Sequence, residues 1–191
     1  MRDDKLNDAE LMARLAAGDM GALGELAQRH QGRVLSLSYR VLGDWDKAED
    51  VAQEAFLRVY RSAKYYKPKA LFTTWLYRIV VNLCLDEQRR QARMGTPLPL
   101  GAGEEAGSRR AGTKSEENTA ERKEVAELVK AAVDGLPERQ RLAVILHRYD
   151  GLSHEQISEV TGWTASAVES LLVRAYANLR ERLDKMKDFV K

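Results

Sequence analysis

A single cysteine, Cys84, stands in a chain of 191 residues, so no internal disulfide is available to staple the fold. It falls in an apolar helical run, where a buried thiol is expected. Prolines number four, at 68, 97, 99 and 137, and each falls where a loop, a linker or a helix start is read. Alternating β-branched runs are absent, which argues against strands. No apolar run approaches the ~20 residues that cross a bilayer, which excludes a spanning helix. The opening MRDDKLNDAEL lacks the apolar centre of a signal peptide, so a cytoplasmic protein without membrane insertion is expected. The three histidines, His30, His147 and His154, show no ligand spacing, and neither an HExxH motif nor a glycine-rich phosphate loop occurs. No metal, cofactor or catalytic residue is therefore expected. The net charge of +2 is too small to demand a nucleic acid by itself, so the charges must be read by position.

What the chain does have is 44% apolar residues and an abundance of Ala, Leu, Glu, Arg and Gln, which favour helices throughout. The pattern predicts an all-α protein of two small helical domains, residues 1–93 and 122–191, joined by a flexible linker at 94–121. Asn7 or Asp8 is placed to cap a first helix that ends near Gly18. A second, over 20–42, buries Leu23, Leu26, Val34, Leu37 and Val41. Asp44 caps a third, over 45–63, whose stripe holds Ala48, Val51, Ala52, Ala55, Phe56 and Val59. A fourth, over 71–93, buries Trp75, Ile79, Leu83 and Cys84 and ends on Arg89, Arg90 and Arg93. Glycines and prolines then replace large apolar residues up to about residue 121.

Two constellations carry chemistry in the N-terminal half. Phe72, Thr73, Thr74, Trp75, Tyr77, Arg78, Asn82, Arg89 and Arg90 share one helix, preceded by Tyr65, Tyr66, Lys67 and Lys69. Aromatic rings interleaved with cations suit single-stranded DNA, because bases stack on the rings while Lys and Arg follow the phosphates. The alternative makes Phe72 and Trp75 core and the rest a solvated face. The second constellation is an acidic ridge, Glu49, Asp50, Gln53 and Glu54, beside an exposed Leu57. It suits docking of a basic partner helix better than metal binding, since no Glu-x-x-His pairs accompany it.

In the C-terminal half Pro137 opens a helix that ends at Asp150 and Gly151. Ser153 and Gln156 form a capping box for a short helix carrying Ile157 and Val160 inward. Gly162 turns the chain, Thr164 caps, and a longer helix over 165–183 buries Val168, Leu171 or Leu172, Ala175 and Leu179. This is the helix-turn-helix arrangement, whose second helix enters the major groove. Its exposed half offers Thr164, Ser166, Glu169, Ser170 and Arg174; Arg174 suits a guanine edge or a phosphate, and Glu169 a cytosine N4. A plain helical hairpin with a solvated face is the alternative.

Four segments resemble bacterial alternative sigma factors of the extracytoplasmic-function group: DVAQEAFLRVYR (50–61), TTWLYRIVVN (73–82), LPERQRLAVILHRYDGLSHEQISEVTG (136–162) and SAVESLLVRAYANLRERL (166–183). Their order and spacing are specific, and the likeness runs from about residue 11 to residue 183. It implies that Asp50, Gln53, Glu54, Phe56 and Tyr60 dock on the clamp helices of the β′ subunit of core RNA polymerase. It implies that the loop over 64–70, with Lys67 and Lys69, and Phe72, Thr74, Trp75, Arg78 and Asn82 melt and read a minus-ten element, Arg89 and Arg90 following the same strand. His147, His154, Glu155, Thr164, Ser166, Glu169, Ser170 and Arg174 would read a minus-35 element of promoter DNA. A cognate anti-sigma factor is implied as a further partner. Primary members of the wider family carry two adjacent tryptophans in the melting helix; here Leu76 follows Trp75, which implies weak independent melting and stringent promoter choice. Many relatives place basic residues where Glu169 and Leu171 stand, so their minus-35 preference does not transfer. The rival readings are a conventional helix-turn-helix regulator that binds a palindrome without polymerase, and a helical metalloenzyme using the Glu49 to Glu54 carboxylates.

Overall fold

The computed structural model describes residues 7–67, 71–95 and 117–189, with the side chains of 117–123 and 186–189 left undescribed. Eight α-helices and no strand occur among the described residues: α1 (Asp8–Ala16), α2 (Met20–Leu42), α3 (Trp45–Ser62), α4 (Phe72–Met94), α5 (Glu117–Asp134), α6 (Glu138–Val144), α7 (His154–Thr161) and α8 (Ala165–Phe189). They belong to two compact units.

The N-terminal unit is built by short, strongly punctuated connections. Asn7 and Glu10 close a reciprocal capping box on α1, satisfying two amide donors that the first turn leaves open. Asp19 then serves twice. One carboxylate oxygen accepts from the Gly21 amide at the start of α2, and the other takes Nε and Nη2 of Arg14 at 2.9 and 2.6 Å. Those bonds, the Arg14 one foremost, hold its carboxyl below the usual range. Gly43 stops α2 in the left-handed region (φ 71°), where a side chain would be strained, and Asp44 caps α3 one residue later. Leu11, Met12, Leu15, Leu26, Val34, Leu37, Val51, Val59, Leu76 and Val80 form the core between α1, α2, α3 and α4.

One face differs from the sequence expectation. Trp75, Ile79 and Leu83 are only half-buried, and α4 buries Phe72, Leu76, Tyr77, Val80, Val81, Cys84, Gln88 and Gln91 instead. Residues 71–85 are apolar nearly all round, so hydrophobicity alone does not select a face. The exposed polar line Arg78, Asn82, Asp86, Arg89 marks the true one. Leu23 of α2 is likewise half-buried. Cys84 is buried, as expected.

In the C-terminal unit α5, α6 and α8 pack together. Ala132, Val133, Leu136, Leu142, Val144, Leu146, Val168, Leu172 and Ala175 are buried, so Leu172 rather than Leu171 faces the core. Asn178 of α8 donates to Gln140 of α6 at 2.8 Å. The helix after Pro137 ends in one wide π turn, Ile145–Tyr149, where the Asp150 amide reaches back to the Ile145 carbonyl. Helix α4 ends at a left-handed Gly95 and α5 begins at Glu117, so the last residues of the predicted linker are helical. Residues 96–116, the rest of it, lie outside the described residues.

Candidate nucleic-acid interface

The start of α4 gathers three rings. Tyr66, Phe72 and Trp75 lie with centroids 5.0 Å (Tyr66–Trp75), 5.8 Å (Phe72–Trp75) and 6.2 Å (Tyr66–Phe72) apart, all tilted or edge-on, the arrangement that ring quadrupoles favour. Phe72 is 5% exposed and Thr74 4%, so both are wall and core rather than surface. Of the residues read as minus-ten contacts, these two therefore lie inward in the unbound chain: the first turn of α4 tucks in, and the Phe72 ring meets His30 of α2. Trp75 keeps a half-exposed flank and shares the outer side of α4 with Arg78 and Asn82 at i, i+3 and i+7. Burial, and secondly the charge of Asp8, push the Tyr66 phenol upward.

Around this cluster Tyr65 is 83% exposed, and Leu71, Lys67, Arg78 and Asn82 are exposed too. Lys69 lies outside the described residues. Arg89 and Arg90 are exposed but spoken for in their own helix: Arg89 pairs with Asp86 at 3.2 Å and Arg90 with Glu87 at 2.8 Å. The Arg90 bond lowers the Glu87 carboxyl. Their charge is thus partly answered within α4 itself. The sequence reading left Leu71 and His30 out of the site. Leu71 reads as an ordinary helix residue, and the partner of His30 stands 22 positions away, too far for any local pattern.

On α3, Asp50, Gln53, Leu57 and Tyr60 make an exposed stripe, with Phe56 half-buried at its edge. Glu54 is partly covered and paired within the helix to Arg58 at 3.0 Å and Arg61 at 3.8 Å. The ridge therefore presents polar and apolar side chains together, not a bare run of negative charge.

In the C-terminal unit Ser153 and Gln156 close the capping box of α7 at 2.9 and 3.2 Å. Gly162 takes φ 75°, and the Thr164 hydroxyl accepts from the Ala167 amide at 3.2 Å. Ser166, Glu169, Ser170 and Arg174 are all exposed on α8, and no ion pair occupies Arg174 among the described residues. Val173 joins them at 66% exposure, an apolar side chain that a helical-wheel reading would have placed there. The His147 and His154 rings lie 5.4 Å apart, and His147 Nδ1 donates to the Leu152 carbonyl at 3.0 Å. Glu155 accepts from Ser153 Oγ at 2.8 Å, which lowers its carboxyl and ties it to the α7 start. Arg139 of α6 lies 5.8 Å from the ring of Trp163 in the turn.

No three His, Cys, Asp or Glu side chains among the described residues are grouped to hold a metal ion. Among those residues no helix is long and apolar enough to cross a membrane.

Residues 26–94 match the family model of sigma-70 region 2, and residues 126–179 that of sigma-70 region 4. The chain is 33% identical over 185 residues to the ECF RNA polymerase sigma-E factor of Escherichia coli, covering 95% of this chain and 94% of that one. It belongs to the extracytoplasmic-function (ECF) sigma factors. The ECF RNA polymerase sigma factor SigE of Mycolicibacterium smegmatis is 37% identical over 174 residues, 89% of this chain and 66% of the longer relative. Among solved structures, CnrH in complex with the cytosolic domain of CnrY aligns with a TM-score of 0.67 at 28% identity, over 93% of this chain and 97% of that one. The sigma factor RpoE from Bartonella quintana, in complex with the anti-sigma factor NepR, shares the fold at a TM-score of 0.65 and 20% identity, over 84% and 96%. As an ECF sigma factor the protein is a DNA-binding transcription initiation factor. Its region 2 contains the α3 ridge and the ring cluster, and its region 4 contains the helix-turn-helix.

Proposed function

We propose that three surfaces divide the work of an alternative sigma factor that binds core RNA polymerase and directs promoter-specific initiation. The α3 stripe of Asp50, Gln53, Leu57 and Tyr60, with Glu54 and Phe56 beside it, docks on the β′ clamp helices. The half-covered Trp75, walled by Tyr66 and Phe72 and edged by Lys67, Arg78 and Asn82, takes an unstacked base of the minus-ten strand. Helix α8 reads the minus-35 duplex through Ser166, Glu169, Ser170 and Arg174, and Val173 offers the apolar contact a thymine methyl takes. His147 and His154, whose rings lie 5.4 Å apart, contact the backbone of that duplex. This chain contributes binding and strand separation and no bond chemistry, which belongs to the polymerase. It acts in the cytoplasm, where polymerase and promoter are. The two structural relatives held by partner chains support a cognate anti-sigma factor that covers one or more of these surfaces.

The observation that carries this reading is the Trp75 site, because a half-exposed ring between an aromatic wall and free cations is what an extruded base needs. Unstacking costs a few kcal/mol per step, offset by stacking and phosphate contacts. In holoenzyme, Trp75→Ala should cut permanganate reactivity of minus-ten thymines about tenfold or more, a stacked base being worth roughly 1–3 kcal/mol. Arg174→Ala should weaken minus-35 duplex binding by a similar factor without changing that reactivity in saturated complexes. Equal effects of both variants on both readouts would contradict the division of labour.

A further inference from the structure

A polar tether runs from α1 into the ring cluster. Asp8, at the first position of α1, places Oδ1 3.1 Å from Arg29 Nη1 and accepts at Oδ2 from His30 Nε2 at 2.9 Å. Its own position is set by the capping box around it and by Leu11, Met12 and Leu15, which are buried. His30 is 8% exposed, and its ring sits 5.2 Å from that of Phe72 at a 50° tilt. Phe72 in turn walls Tyr66 and Trp75. After burial, the Asp8 charge is the second cause that pushes the Tyr66 phenol upward. Helix α1 lies ahead of the residues that match region 2, so the tether joins the base-capturing cluster to an element outside that match.

We propose that His30 is a positioning residue for minus-ten base capture: Asp8 holds its imidazole, and the imidazole props Phe72 so that the Tyr66–Trp75 pair keeps its shape. This rests on the reading of Trp75 as the base-stacking side chain. A buried ring nitrogen left without its acceptor is destabilised, which favours any rotation that finds it another partner, and rings in contact follow one another because a packed interior has little slack. Arg29 is less dependent on Asp8, since it also pairs with Glu25. Loss of the carboxylate therefore acts chiefly through His30.

The test uses holoenzyme assembled from the full chain and core polymerase, on the strongest promoter fragment it transcribes from genomic DNA. Three quantities are read: permanganate reactivity of minus-ten thymines, affinity for core, and affinity for the minus-35 duplex. Asp8→Ala should lower the first about fivefold, the factor that a coupling of neighbouring groups commonly gives, and leave the other two within about twofold. Asp8→Asn, which keeps an acceptor oxygen, should restore most of it. His30→Gln, which keeps a donor for Asp8 and loses the ring, should resemble Asp8→Ala. Permanganate reactivity unchanged in both Asp8→Ala and His30→Gln, while Trp75→Ala still lowers it about tenfold, would overturn the proposal. A parallel fall of all three quantities would also overturn it, because that is the signature of general destabilisation. If Trp75→Ala itself has no effect, the reading beneath the proposal fails and the proposal with it.

Discussion

At Phe72 and Trp75, three residues apart, the same chemistry serves two ends. Both are large aromatics in one turn of α4, and their hydrophobicity alone does not tell which is wall and which is surface. Three-dimensional context decides: His30 covers Phe72, while Trp75 turns toward the side that carries Arg78 and Asn82. Lysines and arginines were easier to place, because a cation without a carboxylate three or four positions away stays free. Arg78 and Arg174 fit that rule, and Arg89 and Arg90, with Asp86 and Glu87 three residues earlier, pair as it implies. Cys84 gives a prediction at this scale. Burial pushes its thiol up to about 12. Below about pH 8.5 folded and unfolded chains both keep the proton; above it the unfolded chain releases one that the folded chain retains until about pH 12. Stability should therefore fall as pH rises through that window, by about 2 kcal/mol at pH 10. Urea unfolding at pH 8 and pH 10 checks it: the drop should be smaller by that amount in Cys84→Ala, whatever its absolute stability.

Helix existence and ends were legible because stop and start signals are chemical and local. Asn7, Asp44, Ser153 and Thr164 each supply an acceptor for the open amides of the helix that follows, and Gly43 and Gly162 adopt the left-handed conformation that ends the helix before them. Faces were legible where polar and apolar residues alternate cleanly, as in α3 with Ala48, Val51, Ala55 and Val59 buried. They were not in α4, whose first 14 residues are mostly apolar. Nor was the π turn at Ile145–Tyr149 legible, since one extra residue in a turn leaves no compositional trace. The cap at Thr164 closes the start of α8, and on the proposed reading it also orients that helix for the minus-35 duplex. Thr164→Ala should cost about 1 kcal/mol in chemical unfolding of the full chain. It should also weaken minus-35 binding beyond that of a matched surface variant such as Ala177→Ser. An effect on stability alone would mean that the cap does not orient α8.

The chain holds two helical units, and its family matches cover region 2 over 26–94 and region 4 over 126–179. With a net charge of only +2, the proposed reading requires its attraction for DNA to be local, on the exposed cations of α4 and α8. Free protein should then bind promoter duplex weakly and with strong salt dependence, and polymerase should supply the effective concentration that makes two weak readers act together. Replacing Arg174 by alanine should reduce the slope of log affinity against log salt by about 1 if it neutralises a phosphate, and leave the slope unchanged if it contacts only a base edge. Filter-binding titrations across salt separate the two.

The central claim is that this chain makes core polymerase promoter-specific through the α3 stripe. In vitro transcription from a genomic promoter library, with bacterial core polymerase with and without the protein, tests it most directly. New discrete transcripts should appear whose start sites share two spaced elements, and the double variant Gln53→Ala/Glu54→Ala should abolish them while still binding DNA through region 4. Unchanged transcripts on adding the protein, with tight binding of a palindromic duplex by the protein alone, would contradict the account and leave a conventional helix-turn-helix regulator.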